Sequence, residues 1–438
     1  MPGTLTIGII YEHLIPILAI VMAARKKARG PVERLAVDAA DIKSAAKVLN
    51  GKHRRTPTML SRSLSEMTGR SVWLKFENMQ RSGSYKFRGA YAKIASLSEK
   101  EKRKGVVAAS TGNNALAVAR AATMQGVKAI VIVPDGMALP RAEVATYYGA
   151  EVRYAGGSYG EANIEATRMA EAEGMTLIHP YDDKQVIAGQ GTIGLEILEE
   201  VPEVDTVVVP IGGGALISGI AVALHAADPT IKVIGVQTAG APPQEVRSSD
   251  GSSVHIRRIS SIADDITIRM PGKLTMPIIR RHVHDVVTVD EDEIARAVVF
   301  LLERHKTVVE GAGAVPTAAL LYNKIKGLGD NVVSLISAGN IDINMVNKVI
   351  LQGLKKAGRY ITVRVQMEDR PGRLYDLLES IHGAGANILE IRQLRYDPDT
   401  PYGTVELMLS FETRNEEHGQ QLLDLILQAP GTDLVESE

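Results

Sequence analysis

Four short glycine-bearing turns carry the side chains that could do chemistry. In the first, Ser82-Gly83-Ser84-Tyr85-Lys86, a lysine stands among small and hydroxyl residues just ahead of a helical pattern. Schiff-base chemistry on a carbonyl needs an unprotonated amine, and burial or a cationic neighbour provides one by lowering the lysine pKa. Arg88 lies two residues on, but its direction cannot be read from sequence. A solvated surface charge is the ordinary alternative for a lysine, and it leaves this neighbourhood unexplained.

The second turn, Ser110-Thr111-Gly112-Asn113, ends a strand-like run and starts a helix. In the third, Gly212, Gly213 and Gly214 stand between a valine run and a helical pattern. Consecutive glycines let backbone N–H groups converge on an anion at a helix N-terminus, although a tight strand-to-helix turn is the plainer reading. The triplet has neither the Lys-Ser/Thr ending of a nucleotide P-loop nor G-x-G-x-x-G spacing, which suits a phosphate better than a nucleoside triphosphate. The fourth turn again ends a strand and holds Ser337 and Asn340.

The elements that must position these turns are legible from periodicity. From Val106 onward, short Val/Ile runs alternate with amphipathic helical patterns. Continuous apolar strands separated by helices indicate parallel sheets covered on both faces, an α/β doubly wound architecture whose ligands sit beyond the carboxyl ends of strands. After residue 357 the pattern becomes strand, helix, strand, strand, helix, strand, a ferredoxin-like βαββαβ unit that can fold alone. The expected division is therefore an N-terminal extension at 1–30, a catalytic region at 31–356 with a small subdomain inserted near 83–175, and a C-terminal domain at 357–438.

Bulk properties narrow the class. The net charge is −1 with both signs interspersed, so no phosphate-backbone binder is indicated. There is no cysteine, which removes disulfides and thiolate chemistry and is compatible with a cytoplasmic setting. The ten histidines show no metal-ligand spacing. His179 reads as a packing and hydrogen-bonding residue, and Asp182 and Asp183 as caps of a turn or helix. Residues 5–24 are apolar and precede a basic cluster, but Glu12, His13 and Pro16 interrupt the run. An extension is expected there rather than a membrane anchor.

In these motifs and their order the chain resembles the fold-type II enzymes that use pyridoxal 5′-phosphate, specifically threonine dehydratases (threonine ammonia-lyases) with one ACT domain. The motifs are "RTPT", "KFENMQRSGSYKFRGA", "IHPYDDKQVIAGQGTIGLEIL", "PIGGGALISGIA", "VVEGAGAV" and "SAGNID". The resemblance implies two doubly wound subdomains of the tryptophan-synthase-β-like fold. By it, Lys86 holds the cofactor and later moves the α-proton, and Asn113 bonds the ring oxygen. Gly212, Gly213, Gly214, Ala215 and Leu216 hold the phosphate, with Ala215 where the family's fourth glycine stands. Ser337 faces the pyridine nitrogen, and Ser110, Thr111, Gly112 and Asn113 receive the substrate carboxylate. A neutral hydroxyl at Ser337 makes the ring a weaker electron sink than a carboxylate would, which favours prompt loss of a β-hydroxyl.

The implied reaction is deamination of L-threonine to 2-oxobutanoate and ammonia, with L-serine a further substrate. A serine or hydroxyaspartate dehydratase, a racemase, or a catalytically silent amino-acid sensor are the alternatives. Thr111 and Asn114 depart from the family's Ser-Ala-Gly-Asn-His. Thr111 takes the place where racemases carry a second-face serine, and substrate-carboxylate binding is the simpler reading. Gln237 stands where metal-binding relatives have a carboxylate, and no metal is expected although Glu310 remains available. The C-terminal segment "VQMEDRPGRLYDLL" resembles the start of an ACT domain, which implies an amino-acid effector such as isoleucine or valine near Asp369, Pro371, Gly372 and Asn387. It also implies a homo-oligomer, dimer or tetramer; a purely structural dimerisation module is the alternative.

Overall fold

The computed structural model describes residues 35–135, 139–240, 261–268, 272–395 and 400–437. The apolar segment expected to form an N-terminal extension lies outside the described residues. The chain divides into two compact units, Met1–Ala36 and Val37–Glu438, and every described strand and helix belongs to the second.

In chain order its strands are β1 (Thr58–Leu60), β2 (Ser71–Phe76), β3 (Val106–Ala109), β4 (Ala129–Val133), β5 (Glu151–Tyr154), β6 (Thr176–Leu177) and β7 (Thr206–Pro210). Then come β8 (Lys232–Thr238), β9 (Asp285–Val289), β10 (Asn331–Ile336), β11 (Tyr360–Glu368), β12 (Asn387–Leu394), β13 (Thr404–Glu412) and β14 (Thr432–Ser437). A large sheet takes the order β1-β2-β10-β7-β8-β9, and a smaller one β5-β4-β3-β6. All neighbours in these two sheets are parallel except β1 with β2. Strands β3, β4 and β7 are buried along their whole length, which is why their sequences are unbroken apolar runs.

Strands β1, β2 and β9 carry no such run. In β2 the sequence SVWLKF places a charged residue, Lys75, inside the sheet. Lys75 is fully buried, and its ammonium pairs with Glu196 at 2.8 Å and Glu200 at 2.9 Å. A paired buried charge hides a central strand from a reading that looks for continuous apolar residues.

The sheet order brings the chemistry together. Neighbouring strands β2, β10 and β7 lead respectively into the Lys86 turn, the Ser337 turn and the glycine triplet. Strand β3 of the smaller sheet delivers the Ser110 turn. Four segments far apart in sequence thus end at the carboxyl edges of parallel strands, where open α/β sheets bind ligands.

The C-terminal strands form an antiparallel sheet in the order β12-β13-β11-β14, the ferredoxin-like layout. Helices Arg373–Gly383 and Glu416–Gln428 pack Leu377, Ile381, Leu422 and Ile426 against Val363, Val365, Leu407 and Leu409. This segment therefore has a hydrophobic core of its own. It is joined to the preceding helix, Ile343–Lys356, through Gly358 at φ +60°, and Arg359 pairs with Glu303 at 2.6 Å.

Candidate active site

Lys86 opens helix Lys86–Ala95. Its amine donates to the Pro180 carbonyl at 2.9 Å and lies 5.4 Å from the Tyr85 ring centre. Burial lowers the lysine pKa, and the nearby carboxylates Asp265 and Glu310 oppose that shift. Arg88, the cation whose direction was open, points elsewhere. Its fully buried guanidinium forks onto Glu77 (2.6 and 2.9 Å) and Glu196 (2.5 and 2.9 Å). Burial, and not a cationic neighbour, is what prepares the amine.

The lysine turn is zipped to the Ser337 turn. Ser84 and Ala338 form an antiparallel bridge, Tyr85 N–H donates to Ser337 O at 3.1 Å, and Gly339 N–H donates to Gly83 O at 3.0 Å. Gly83 has φ +74°, and a Cβ there would meet Asn340 Oδ1 at 2.1 Å, so only glycine lets the two turns close. Asn340 then ties three turns together. Its amide donates to Ser82 O at 2.8 Å and to Asn113 Oδ1 at 2.6 Å.

Asn113 is buried and held on both sides. Besides Asn340, its amide nitrogen donates to Glu310 at 2.8 Å and to Asp265. Glu310 is buried, and desolvation with the adjacent Asp265 and Asp264 charges raises its pKa well above the ordinary carboxylate value. One of its oxygens has no hydrogen-bond partner.

The glycine triplet precedes helix Ala215–Ala227, whose N-cap is Gly214 at φ +92° with no side-chain cap. The helix therefore presents its first-turn N–H groups without a competing side chain, an arrangement suited to phosphate. A Cβ at Gly213 would fall 2.1 Å from the Tyr181 ring, and one at Gly212 2.9 Å from Ile266 Cα. Ser337 is buried at the end of β10, with its hydroxyl 3.5 Å from Ala312 O, too long to commit it.

The Ser110 loop has divided roles. Ser110 Oγ accepts from Gly112 N–H (3.1 Å) and Ala115 N–H (3.0 Å), so it shapes the turn. Thr111 is exposed, and its carbonyl accepts from Arg141 at 3.2 Å. His179 Nδ1 accepts from Asp182 N–H at 2.8 Å, and burial lowers its pKa, which matches a structural role. Asp183 caps helix Lys184–Glu200, while Asp182 accepts from Leu274 N–H at 2.8 Å.

Sequence reasoning missed Asp265, Arg141 and Tyr181 as parts of the site, and Asn340 as its tie. Asp265 lies in a 3-10 turn, Asp264–Ile266, inside a stretch with neither periodicity nor a glycine signal. Among the described residues no group of three or more His, Asp or Glu gathers to hold a metal ion.

In the C-terminal sheet the four expected effector residues do not meet within one chain. Asp369, Pro371 and Gly372 follow the Glu368 end of β11, where Glu368 pairs with Thr404. Asn387 pairs with Glu412, which also pairs with Tyr360 at the other end of β11. Eight residue steps separate those ends, about 27 Å at strand rise. Asp369 accepts a hydrogen bond from Arg395, and Asn387 donates to Glu412 at 3.2 Å.

The catalytic elements can thus hold a phosphorylated, carbonyl-bearing ring, with an amine beside it and a neutral hydroxyl at one edge. Comparison with known proteins agrees. The family profile described as pyridoxal-phosphate dependent enzyme matches residues 49–338. The chain is 43% identical over 394 residues to an L-threonine ammonia-lyase of Thermotoga maritima, covering 90% of this chain and 98% of that protein. It is 44% identical over 311 residues to the catabolic L-threonine dehydratase TdcB of Escherichia coli K12, covering 70% of this chain and 94% of that one. Among solved structures, maize serine racemase superposes with a TM-score of 0.68 at 34% identity, over 73% of this chain and 99% of that one.

Proposed function

This chain belongs to the family of pyridoxal-phosphate-dependent enzymes, and from that premise we propose that it deaminates L-threonine to 2-oxobutanoate and ammonia, with L-serine as a second substrate. The observation that carries the reading is Lys86, a buried amine whose pKa is lowered by desolvation, at the meeting point of four glycine turns.

The residues present fit the cofactor. Lys86 would bond its carbonyl, the Gly212–Gly214 turn and the uncapped helix behind it would seat the phosphate, and Ser337 would face the ring nitrogen, a reading supported by the uncapped N-terminus and the uncommitted Ser337 hydroxyl. The unpartnered oxygen of Glu310 and the unpartnered Ser84 hydroxyl are buried polar atoms that a polar ligand would satisfy. Bound there, pyridoxal phosphate supplies a carbonyl for the substrate amine and a ring that takes up the electrons of the broken Cα–H bond. Lys86 Nζ, oriented by the Pro180 carbonyl and with its pKa lowered by burial, would accept the α-proton. The Ser110–Asn113 loop would hold the substrate carboxylate, and Ser337 would offer the ring nitrogen a neutral hydroxyl in place of a carboxylate, a weaker electron sink that favours loss of the β-hydroxyl.

Incubating the purified protein with cofactor and L-threonine, and measuring 2-oxobutanoate, tests this directly. Turnover of L-serine with no product from L-threonine would defeat the threonine assignment.

The C-terminal domain, residues 357–438, is in this reading an ACT-type module that binds a small amino acid such as isoleucine or valine. Support comes from its β12-β13-β11-β14 order and from the Asp369–Gly372 turn, where the next helix begins at Gly372 without a side-chain cap. The separation of Asn387 from that turn favours contacts shared between subunits, hence a homo-oligomer, dimer or tetramer. A cytoplasmic location accords with the absence, among the described residues, of any helix long and apolar enough to cross a membrane.

A further inference from the structure

The turn Asp264–Ile266 plays no part in the elimination chemistry, yet it lies between two of the site's loops. Its backbone approaches the glycine triplet: a Cβ on Gly212 would stand 3.3 Å from Asp265 O. Its side chain approaches the loop that receives the substrate carboxylate. A Cβ on Gly112 would stand 2.7 Å from Asp265 Oδ1, and Asn113 donates to Asp265 Oδ2.

One cation reaches this loop from the other side. Arg141, on helix Leu139–Tyr147, would meet a Gly112 Cβ at 3.1 Å from Nη1. Its two terminal nitrogens donate to Thr111 O (3.2 Å), Asn340 O (3.3 Å) and the Asp264 carboxylate (3.2 Å), while its Nε has no hydrogen-bond partner. Asp264 pairs with Arg141 at 3.2 Å, whereas the Asp265 carboxylate accepts from Asn113 and stands in no ion pair among the described residues.

We infer that Asp265 is the selectivity-determining residue of this site, a charge filter that admits β-hydroxy amino acids with uncharged side chains and rejects those with a second carboxylate. The inference rests on the proposed β-elimination and names its substrate class. The α-carboxylate is common to every candidate substrate, so any penalty it meets from Asp265 cancels in the comparison. A carboxylate on Cβ would add a further repulsion from the half-buried Asp265, and both terminal nitrogens of Arg141 are already bonded to other groups. The residue is a fixed wall of the pocket and takes no proton in the reaction.

The test measures kcat/KM of the cofactor-loaded enzyme for L-threonine, L-serine and L-threo-3-hydroxyaspartate, in wild type and Asp265→Asn. The amide keeps the side-chain shape and removes the charge. Wild type is expected to favour L-threonine over 3-hydroxyaspartate by at least about tenfold, and D265N to narrow that ratio by about tenfold, chiefly through the KM for the dicarboxylate. Equal use of both substrates by wild type, or an unchanged ratio in D265N, overturns the filter. Wild type alone gives a second measurement that does not depend on the variant folding. L-Alanine and L-aspartate lack a β-leaving group, and as competitive inhibitors L-aspartate is expected to bind at least about tenfold more weakly. Equal or tighter binding of L-aspartate overturns the inference as well. Turnover of L-threonine is the control that separates the two claims. Its presence with a failed ratio defeats only the filter, whereas its absence together with that of L-serine turnover defeats the elimination reading and the filter with it.

Discussion

Lys86 is reactive because of where its amine ends, and the consequence can be titrated. Burial lowers its pKa, while Asp265 and Glu310 act to raise it. The unprotonated fraction, and with it the rate at which the free protein captures pyridoxal phosphate, rises with pH across that lowered value. Removing the Asp265 charge takes away an influence that stabilises the ammonium, so in D265N the midpoint moves to lower pH. Stopped-flow absorbance of cofactor capture against pH measures both limbs. Lys86→Ala is expected to lose 2-oxobutanoate formation by about a thousandfold or more, since the variant lacks the amine that both bonds the cofactor and takes the α-proton. The remaining signal is read by the same product assay.

Helix Lys86–Ala95 holds its lysine in place through Arg88, two residues along and turned into the core. Arg88 joins the 3-10 turn Glu77–Met79, through Glu77, to helix Lys184–Glu200, through Glu196. His53 at 2.8 Å and Lys75 at 2.8 Å complete the set around Glu196. Replacing Arg88 with alanine leaves the buried Glu77 carboxylate without its cation and removes one of three partners of Glu196, which costs about 3–5 kcal/mol of stability. Urea denaturation at neutral pH measures the loss. Acid should reveal the same network. Burial by itself would raise the Glu196 pKa, but its bonds to His53 and Arg88 outweigh that and hold it far below the ordinary range. A depressed carboxylate contributes stability that is full above its unfolded pKa of about 4.5 and is lost as pH falls toward the folded value. Wild type should therefore weaken steeply below about pH 4.5, and the Arg88→Ala variant less steeply. Helix Ala215–Ala227 carries a separate expectation, because Gly213 leaves room for the Tyr181 ring. Gly213→Ala should weaken cofactor binding by about tenfold, measured by equilibrium dialysis, as the ring and the loop are forced apart.

At the scale of the molecule, the C-terminal sheet is separable in construction from the catalytic elements. The C-terminal sheet has its own core, and its bonds to the rest include Arg359 to Glu303. The alignment with the E. coli dehydratase covers 94% of that protein but 70% of this chain. A protein ending at Ala357 is expected to keep L-threonine turnover within about threefold and to lose any response to isoleucine or valine, as a domain with an independent core allows. Retained sensitivity in the truncated enzyme would place the effector in the catalytic region.

By itself the sequence determined the parts with local signatures. Glycines mark turns that other residues cannot form, unbroken Val/Ile runs mark strands covered on both faces, and a lysine ahead of a helix marks the amine. Those signals located Lys86, Asn113, the glycine triplet and Ser337, and the alternating pattern was enough for the α/β class. The tertiary structure decided everything that depends on proximity. Strand β2 went unseen because its buried Lys75 is neutralised by residues more than a hundred positions away. Asn340 joins Ser82 and Asn113 across gaps of 258 and 227 residues. Asp265 reaches Asn113 across 152. Arg88 turned away from the amine it neighbours in sequence, and Asn387 came to lie at the opposite end of its sheet from Asp369. Local chemistry constrains each residue's backbone, but which charges end up sharing a desolvated volume is set by the packing of whole sheets, and no short stretch of sequence records it.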